Sequence, residues 1–167
     1  MKHPSGCLFG LLANLFGRSG EDSAPAGSGF PLVIVNKRFV TEAEANFFRV
    51  LKSVVGQRGH VLAQVSLRQL LWFPPNQKDR AGLQRWRNKV AQKSVDFVVC
   101  EPGTLRPLVV IELDEPSHAT PQRQTRDEEV ETILGAANLP FIHVLTSRNY
   151  ETRELEAAIR PYLGAVP

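Results

Sequence analysis

The stretch VVIELDEPSH, residues 109–118, begins as an apolar strand and then carries acids where apolar residues would be expected. Side chains alternate along a strand, so Glu112 and Asp114 point to the same side, with Cα atoms roughly 7 Å apart. An ionised carboxylate is costly to bury unless it is paired, hydrogen-bonded, neutralised or bound to a metal. These two residues therefore form one candidate carboxylate pair with a chemical role.

A third acid, Asp96, interrupts the apolar run SVDFVVC on the preceding predicted strand. A Pro-Gly turn signal separates the two runs and predicts an antiparallel hairpin, which can place Asp96 beside Glu112 and Asp114. Three acids on one sheet face repel each other unless a cation lies between them, and hard oxygen ligands suit Mg²⁺ or Mn²⁺. We therefore expect Asp96, Glu112 and Asp114 to be metal ligands.

The chemistry expected of such a site is hydrolysis at phosphorus. A divalent ion held by these acids would polarise a phosphoryl oxygen and lower the pKa of a bound water. His118, just past the strand, could orient or deprotonate that water, because a histidine pKa lies near neutrality. The pattern therefore predicts nuclease-type chemistry.

Ordinary structural explanations stay open for each residue taken singly. Asp114 could cap a turn, His118 could be a surface loop residue, and Asp96 could pair with Lys93 or with an arginine. The metal-site interpretation depends on the four residues Asp96, Glu112, Asp114 and His118 taken together.

The elements that must position these residues follow the order α, β, β, β, α, β, α. Thr41 and Glu44 have the form of a capping box that opens the first helix, and Gly56 and Gly59 end it. Thr125 and Glu128 have the same form and predict the start of a helix between the third and fourth strands. A helix there is what a parallel crossover requires, so we expect an α/β domain with a mixed four-stranded sheet flanked by helices.

The remaining segments are less regular. The stretch HVLAQVSLRQLL is strand-like at its start, and its final leucine pair could begin a helical turn. Asn138 and Pro140 mark the end of the second long helix. The strand PFIHVL and a helix from about Tyr150 to Leu163 complete the domain.

Cationic side chains are concentrated in residues 77–93. This segment has six Lys or Arg residues against one Asp, or a formal +5, which leaves the rest of the chain at −2 of its overall +3. Such a concentration indicates a polyanionic partner. Trp86, between Arg85 and Arg87, could stack on an exposed base while the cations neutralise phosphates. The alternative is a solvated basic loop whose tryptophan packs on the domain. The candidate nucleic-acid-binding residues are Arg85, Trp86, Arg87, Lys89, Lys93, Arg123 and Arg126.

The amino-terminal residues 1–31 are expected to lie outside the folded domain, which we place at residues 32–167. Residues 7–16 form an apolar run too short to cross a bilayer, although it could dock on a membrane surface or a partner, and a mostly disordered tail is the alternative. The Gly/Ser/Pro-rich residues 17–31 predict a flexible linker. The two cysteines lack metal-ligand spacing and favour a reducing, cytoplasmic setting.

The motifs TEAE, AQVSL, VDFVVC, VVIELDEPSH, RDEE and NLPFIHV resemble the PD-(D/E)XK nuclease superfamily from about Thr41 to Val144. They are most similar to a bacterial domain family of unknown function related to very-short-patch-repair endonucleases. The resemblance implies a restriction-endonuclease-like αβββαβ core. It also implies DNA as the substrate, in repair, restriction or processing.

The resemblance assigns roles residue by residue. Asp96 and Glu112 would be metal ligands, Glu44 would reach the site from the first helix, and His118 would act on the water. Arg126, at the start of the later helix, would contact phosphate or lock the loop. Asp114 stands where the superfamily usually has a lysine, which normally positions the water.

This departure leaves two hypotheses. In the first, the domain is a Mg²⁺-dependent endonuclease that uses Asp114 and His118 in place of the lysine. In the second, it keeps the nuclease fold, binds nucleic acid and has lost turnover.

Overall fold

The computed structural model describes residues 33–75, 78–114 and 121–164, apart from the side chains of residues 121–127. The chain divides into two units, Met1–Lys37 and Arg38–Pro167. The fold below is that of the second unit. The apolar run at residues 7–16 and the linker at residues 17–31 lie outside the described residues.

The described part of this unit contains helices and strands, with short 3₁₀ turns at Gly56–Arg58 and Arg160–Tyr162. In chain order the elements are α1 (Glu42–Val55), β1 (His60–Ser66), α2 (Leu67–Leu70), α3 (Arg80–Val90), β2 (Ser94–Cys100), β3 (Pro107–Asp114), α4 (Pro121–Ala136), β4 (Phe141–Leu145) and α5 (Thr152–Ile159).

The four strands form one sheet in the order β1-β2-β3-β4. The pairs β1–β2 and β2–β3 are antiparallel, whereas β4 lies parallel to β3. Helix α4 makes the crossover between the two parallel strands, because a parallel neighbour can be reached only by a connection that returns along the sheet. The predicted α/β class, with a mixed four-stranded sheet flanked by helices, is confirmed.

The start of α1 is the capping box predicted from Thr41 and Glu44. The Thr41 side chain accepts from the Glu44 amide at 3.2 Å, and the Thr41 amide donates to Oε2 of Glu44 at 2.6 Å. Gly56 follows the helix with φ 56°, a conformation that glycine adopts without steric cost. Both predicted ends of α1 are confirmed, and the box also fixes the direction of the Glu44 carboxylate.

The predicted start of α4 was wrong, although its end was right. The helix begins at Pro121, so Thr125 and Glu128 lie within it and do not form its cap. Proline has no amide hydrogen to satisfy and its φ suits the first turn, so it competes well for this position. At the other end Asn138 has φ 53°, and the Leu139 amide donates to the Leu134 carbonyl at 3.0 Å. This geometry closes the helix where the Asn-Pro signal predicted.

Helix α3 is the element that sequence reasoning missed, because its basic residues suggested a solvated segment. Asp79 caps it by accepting from the Gly82 amide at 2.8 Å. Leu83 and Val90 are buried on one side, with the partly buried Trp86 beside them. Apolar residues at this spacing lie on one helical face, which was the available signal.

The core has two parts, one on each side of the sheet. One part contains residues of α1 and α5, packed against every second residue of β2 and β3. The other contains residues of α3 and α4, packed against the strand residues that face the opposite side of the sheet. The first includes Phe47, Leu51, Phe97, Val99, Val109, Ile111, Leu155 and Ile159. The second includes Leu67, Val90, Val98, Cys100, Val110, Val130 and Leu134. The central strands are therefore apolar on both faces until they reach the end that carries the acids.

Among the helices in the described part of the chain, none is both long enough and apolar enough to span a bilayer.

Candidate functional site

The predicted acids meet at one end of the sheet because of the strand directions. β1 ends, β2 begins, and β3 and β4 end at this side, as the two antiparallel pairs and one parallel pair require. The register continues from Phe97 opposite Ile111, which brings Asp96 level with Glu112. Chain segments far apart in sequence therefore contribute polar side chains to one place.

Two hydrogen bonds across β2 and β3 hold the carboxylates of Asp96 and Glu112. The Asp96 amide donates to Oε2 of Glu112 at 2.9 Å, and the Leu113 amide donates to Oδ2 of Asp96 at 2.9 Å. Each strand therefore holds the carboxylate of the other through a backbone donor whose position the sheet determines. The hairpin brings these two predicted residues together, and neither side chain can rotate away without losing a charge-assisted bond.

Gln64 on β1 connects this pair to Glu44 on α1. Its Nε2 donates to Oε1 of Glu44 at 2.8 Å and to Oδ1 of Asp96 at 3.4 Å. Glu44 already accepts from the Thr41 amide through its other oxygen. Glu44, which the resemblance expected to reach the site from the first helix, is thus held there by the cap on one side and by the Gln64 amide group on the other.

The backbone at Gln64 is itself unusual. Its φ is 53°, in the left-handed region that residues other than glycine rarely adopt. Regular pairing is found on either side of it, at Ala63 with Phe97 and at Val65 with Val95. Strain of this kind tends to occur at functional sites, where the surrounding structure maintains it. Sequence reasoning missed Gln64, although a lone amide within the strand HVLAQVS was a signal.

Burial raises the pKa of Asp96 above its ordinary value, and the neighbouring Glu44 carboxylate acts in the same direction. The Leu113 amide and the Gln64 side chain oppose this effect without cancelling it. Negative charge is therefore crowded at this end of the sheet, and a proton or a cation would relieve it.

Asp114 lies in a second group, with two residues that were not predicted. His143 on β4 has its Nδ1 2.9 Å from Oδ2 of Asp114 and its Nε2 2.7 Å from Oε1 of Glu131 on α4. Partial burial lowers the pKa of His143, but the hydrogen bonds to Glu131 and Asp114 outweigh it and the net shift is upward. A histidine inside the apolar strand PFIHVL was the signal for this position.

The two groups are adjacent in the sheet. His143 is the register partner of Glu112 across the parallel pair β3–β4. The predicted cluster of three acids is thus divided in the observed contacts: Asp96 and Glu112 bind each other's strand, and Asp114 binds His143.

Whether a metal ion fits this site depends on how many oxygen and nitrogen ligands the side chains can offer. Within the described residues, no group of three or more His, Cys, Asp or Glu side chains is arranged to hold an ion. Mg²⁺ commonly takes only one or two carboxylates, together with waters and substrate phosphates. Asp96 and Glu112 are two hard, neighbouring donors in a site where negative charge is crowded. The residues present therefore fit a magnesium site of two carboxylates.

The basic residues near the site differ in their contacts. Lys89 and Lys93 bind the two oxygens of Glu129 on α4, at 2.7 and 2.6 Å, and together they lower the Glu129 pKa to about 2. Arg87 donates to the Phe73 carbonyl at 3.2 Å. Lys93 is therefore not the partner of Asp96, and its charge is already compensated by Glu129.

Three predicted residues cannot be placed in this geometry. His118 lies outside the described residues, and the side chains of Arg123 and Arg126 are not described. The roles expected of these residues remain predictions.

Comparison with known proteins identified one family. A family model described as a protein of unknown function (DUF2726) matches residues 36–162, which include every helix and strand described above. Searches of curated proteins and of solved structures found no match.

Proposed function

The chain belongs to the DUF2726 family, whose description assigns no function, and we propose from its site that it is a metal-dependent nuclease that hydrolyses phosphodiester bonds of DNA. The observation that carries the proposal is the pairing of Asp96 with Glu112 at 2.9 Å through the Asp96 amide. Carboxylates gathered at one strand end, where burial and Glu44 raise the pKa of Asp96, cost free energy unless a positive group offsets them. Catalysis at phosphorus is a common reason to retain such an arrangement.

Asp96 and Glu112 are the residues proposed to hold Mg²⁺ or Mn²⁺. When bound, the ion would supply Lewis-acid polarisation of a phosphoryl oxygen and a water of lowered pKa. The protein's own contribution is orientation: the amides of Asp96 and Leu113 hold one oxygen of each carboxylate. Gln64 and the α1 cap hold Glu44 against the same site.

His143 is proposed as a positioning residue. Its imidazole binds Asp114 on one side and Glu131 on the other, and it is level with Glu112. It brings a protonatable group beside Asp114, the position at which the PD-(D/E)XK resemblance would place a lysine. His118 remains the residue proposed to act on the attacking water.

A second candidate function is a nucleic-acid-binding module of nuclease fold without turnover. Two observations favour it: Asp114 is already bound to His143, and the described residues contain no ready-made group of three metal ligands. The basic helix α3 would serve this function equally well, since phosphate contacts position a nucleic acid without chemistry.

The deciding experiment is a cleavage assay with purified protein and Mg²⁺ or Mn²⁺ on single-stranded, nicked, mismatched and branched DNA. We expect cleavage by the wild type and by Glu154→Ala, which removes an exposed acid on α5, and none by Asp96→Ala. If wild type and Asp96→Ala are equally inert on every substrate, the enzymatic proposal is wrong. Salt-sensitive DNA binding that survives loss of the acids would then support the binding module.

A cytoplasmic location, with docking of residues 7–16 on a membrane or a partner, is a separate proposal. Deleting residues 1–30 and comparing cell fractionation tests it. A deletion that leaves the distribution unchanged would remove the docking role.

A further inference from the structure

A groove of about 640 Å³ lies between the segment that follows α2, helix α3 and helix α4. Its volume is in the usual range for ligand sites. The carboxylates discussed above are not among its lining residues, so it is a separate feature of the surface. Aromatic, apolar and basic side chains line it, including Trp72, Phe73, Leu83, Arg85, Trp86 and Ile133.

The groove contains both tryptophans of the chain. Trp72 is 80% exposed, which leaves a large apolar ring in water at a cost that a bound partner would recover. Trp86 is half-buried against the core, and Nζ of Lys89 lies 5.0 Å from its ring centre. Lys89 is held in turn by Glu129. One tryptophan is therefore open to a ligand and the other is fixed in place.

The charge around the groove is positive. Arg85 lines it and is exposed, and in the part of the chain that the structure describes it has no acidic partner. Arg80 and Lys78 are exposed nearby in sequence. The acid that lines the groove, Asp79, is occupied as the cap of α3. An anionic ligand with a flat aromatic group matches this combination better than a purely apolar one.

We propose that this groove binds unpaired nucleotides of single-stranded DNA, with a base on Trp72 and a phosphate against Arg85. Bases inside a duplex have both faces covered by their neighbours, whereas an unpaired base can stack on an aromatic ring. The proposal rests on the proposed function, since it specifies the form of DNA delivered to the carboxylate site. It selects frayed, nicked-flap or single-stranded substrates over an intact duplex.

Tryptophan fluorescence tests the groove directly, because no tryptophan lies elsewhere in the chain. Titration with oligo(dT) in EDTA should quench the emission to saturation, and an intact duplex should bind more weakly with little quenching. In an anisotropy assay with fluorescein-labelled oligo(dT), Trp72→Ala should raise Kd roughly 5- to 100-fold, in line with the loss of a stacked base. Phe39→Ala, which removes an exposed ring outside the groove, should leave Kd unchanged.

The charge contribution has its own matched pair. Arg85→Ala should weaken binding and flatten the salt dependence by about one counterion, whereas Arg153→Ala on α5 should do neither. Trp72→Phe serves as a second variant that keeps an aromatic ring for the base, and it should bind more tightly than Trp72→Ala. Unquenched emission, or equal Kd for wild type and Trp72→Ala, overturns the proposal, as does quenching by an apolar peptide but not by DNA.

The outcome is separable from that of the cleavage assay. The quenching assay contains EDTA and so does not depend on a metal. Quenching by a protein that shows no cleavage activity would therefore support the groove proposal and contradict the nuclease proposal. Cleavage without quenching would support the nuclease proposal and contradict the groove proposal. Asp96→Ala should abolish cleavage and leave the quenching curve unchanged.

Discussion

The amide of Asp96 donates to Oε2 of Glu112 at 2.9 Å, so the backbone of the strand that carries one acid orients the side chain of the other. In the opposite direction, the Leu113 amide of the second strand donates to Oδ2 of Asp96. This geometry is stiff because both donors are backbone amides whose positions the sheet determines. Each substitution at this end of the sheet should therefore have an effect that depends on which hydrogen bond it removes.

Asp96→Asn should abolish metal-dependent cleavage while preserving the fold. Asparagine keeps an acceptor oxygen for the Leu113 amide but removes the negative charge that burial and Glu44 disfavour. We expect activity to fall roughly 100-fold or more, and the urea midpoint to stay the same or rise. Glu154→Gln is the matched control. Full activity in Asp96→Asn would show that this carboxylate has no part in the chemistry.

Gln64 should separate backbone strain from side-chain function. Both Gln64→Gly and Gln64→Ala lose the bonds to Glu44 and Asp96, but glycine alone tolerates the φ of 53° without steric cost. We expect the glycine variant to be more stable than the alanine variant by about 1 kcal/mol in urea unfolding. Both should show reduced cleavage. Equal stabilities would mean that the left-handed backbone is not maintained in solution.

His143→Ala should loosen the connection between the sheet and α4. It removes the contacts to Asp114 and Glu131, which are partly exposed, so the free energy of unfolding should fall by only about 1 kcal/mol. A positioning role predicts in addition a fall in kcat of roughly tenfold with little change in KM. Glu131→Gln retains an acceptor oxygen for the ring and should keep most of the activity. A purely structural role would leave kcat unchanged in the folded His143→Ala protein.

The contacts of Glu129 should make stability depend on acid pH. Lys89 and Lys93 lower the Glu129 pKa from 4.5 to about 2, so the folded state favours the ionised form. This contribution is present in full above the unfolded value of 4.5 and disappears as the pH falls toward 2. Glu129→Gln should therefore lower the urea midpoint at pH 7, and its difference from wild type should narrow below about pH 4.5. Because the carboxylate is partly exposed, the effect should also shrink in high salt, and a difference independent of pH would contradict the assignment.

Local signals in the sequence accounted for much of the fold. The Thr41 and Glu44 box, the Pro-Gly turn of the hairpin and the Asn-Pro stop after α4 depend on residues a few positions apart, so neighbouring letters suffice to predict them. The hairpin that brings Asp96 beside Glu112 follows from the same short-range signals. Two helices were exceptions. The capping-box pattern at Thr125 predicted a later start for α4, which in fact begins at Pro121. Helix α3 was missed because its basic composition suggested a solvated segment.

The sequence by itself thus determined the α/β class, the mixed four-stranded sheet and the hairpin that brings Asp96 beside Glu112. Only the tertiary structure decided which partners those acids take. Gln64 reaches Asp96 from 32 residues away, and His143 reaches Asp114 from 29, so both contacts exist only after the chain has folded. A side chain's partner depends on which surfaces pack together in space. The periodicity of one strand shows which face a residue lies on, but it does not show which helix or strand packs against that face.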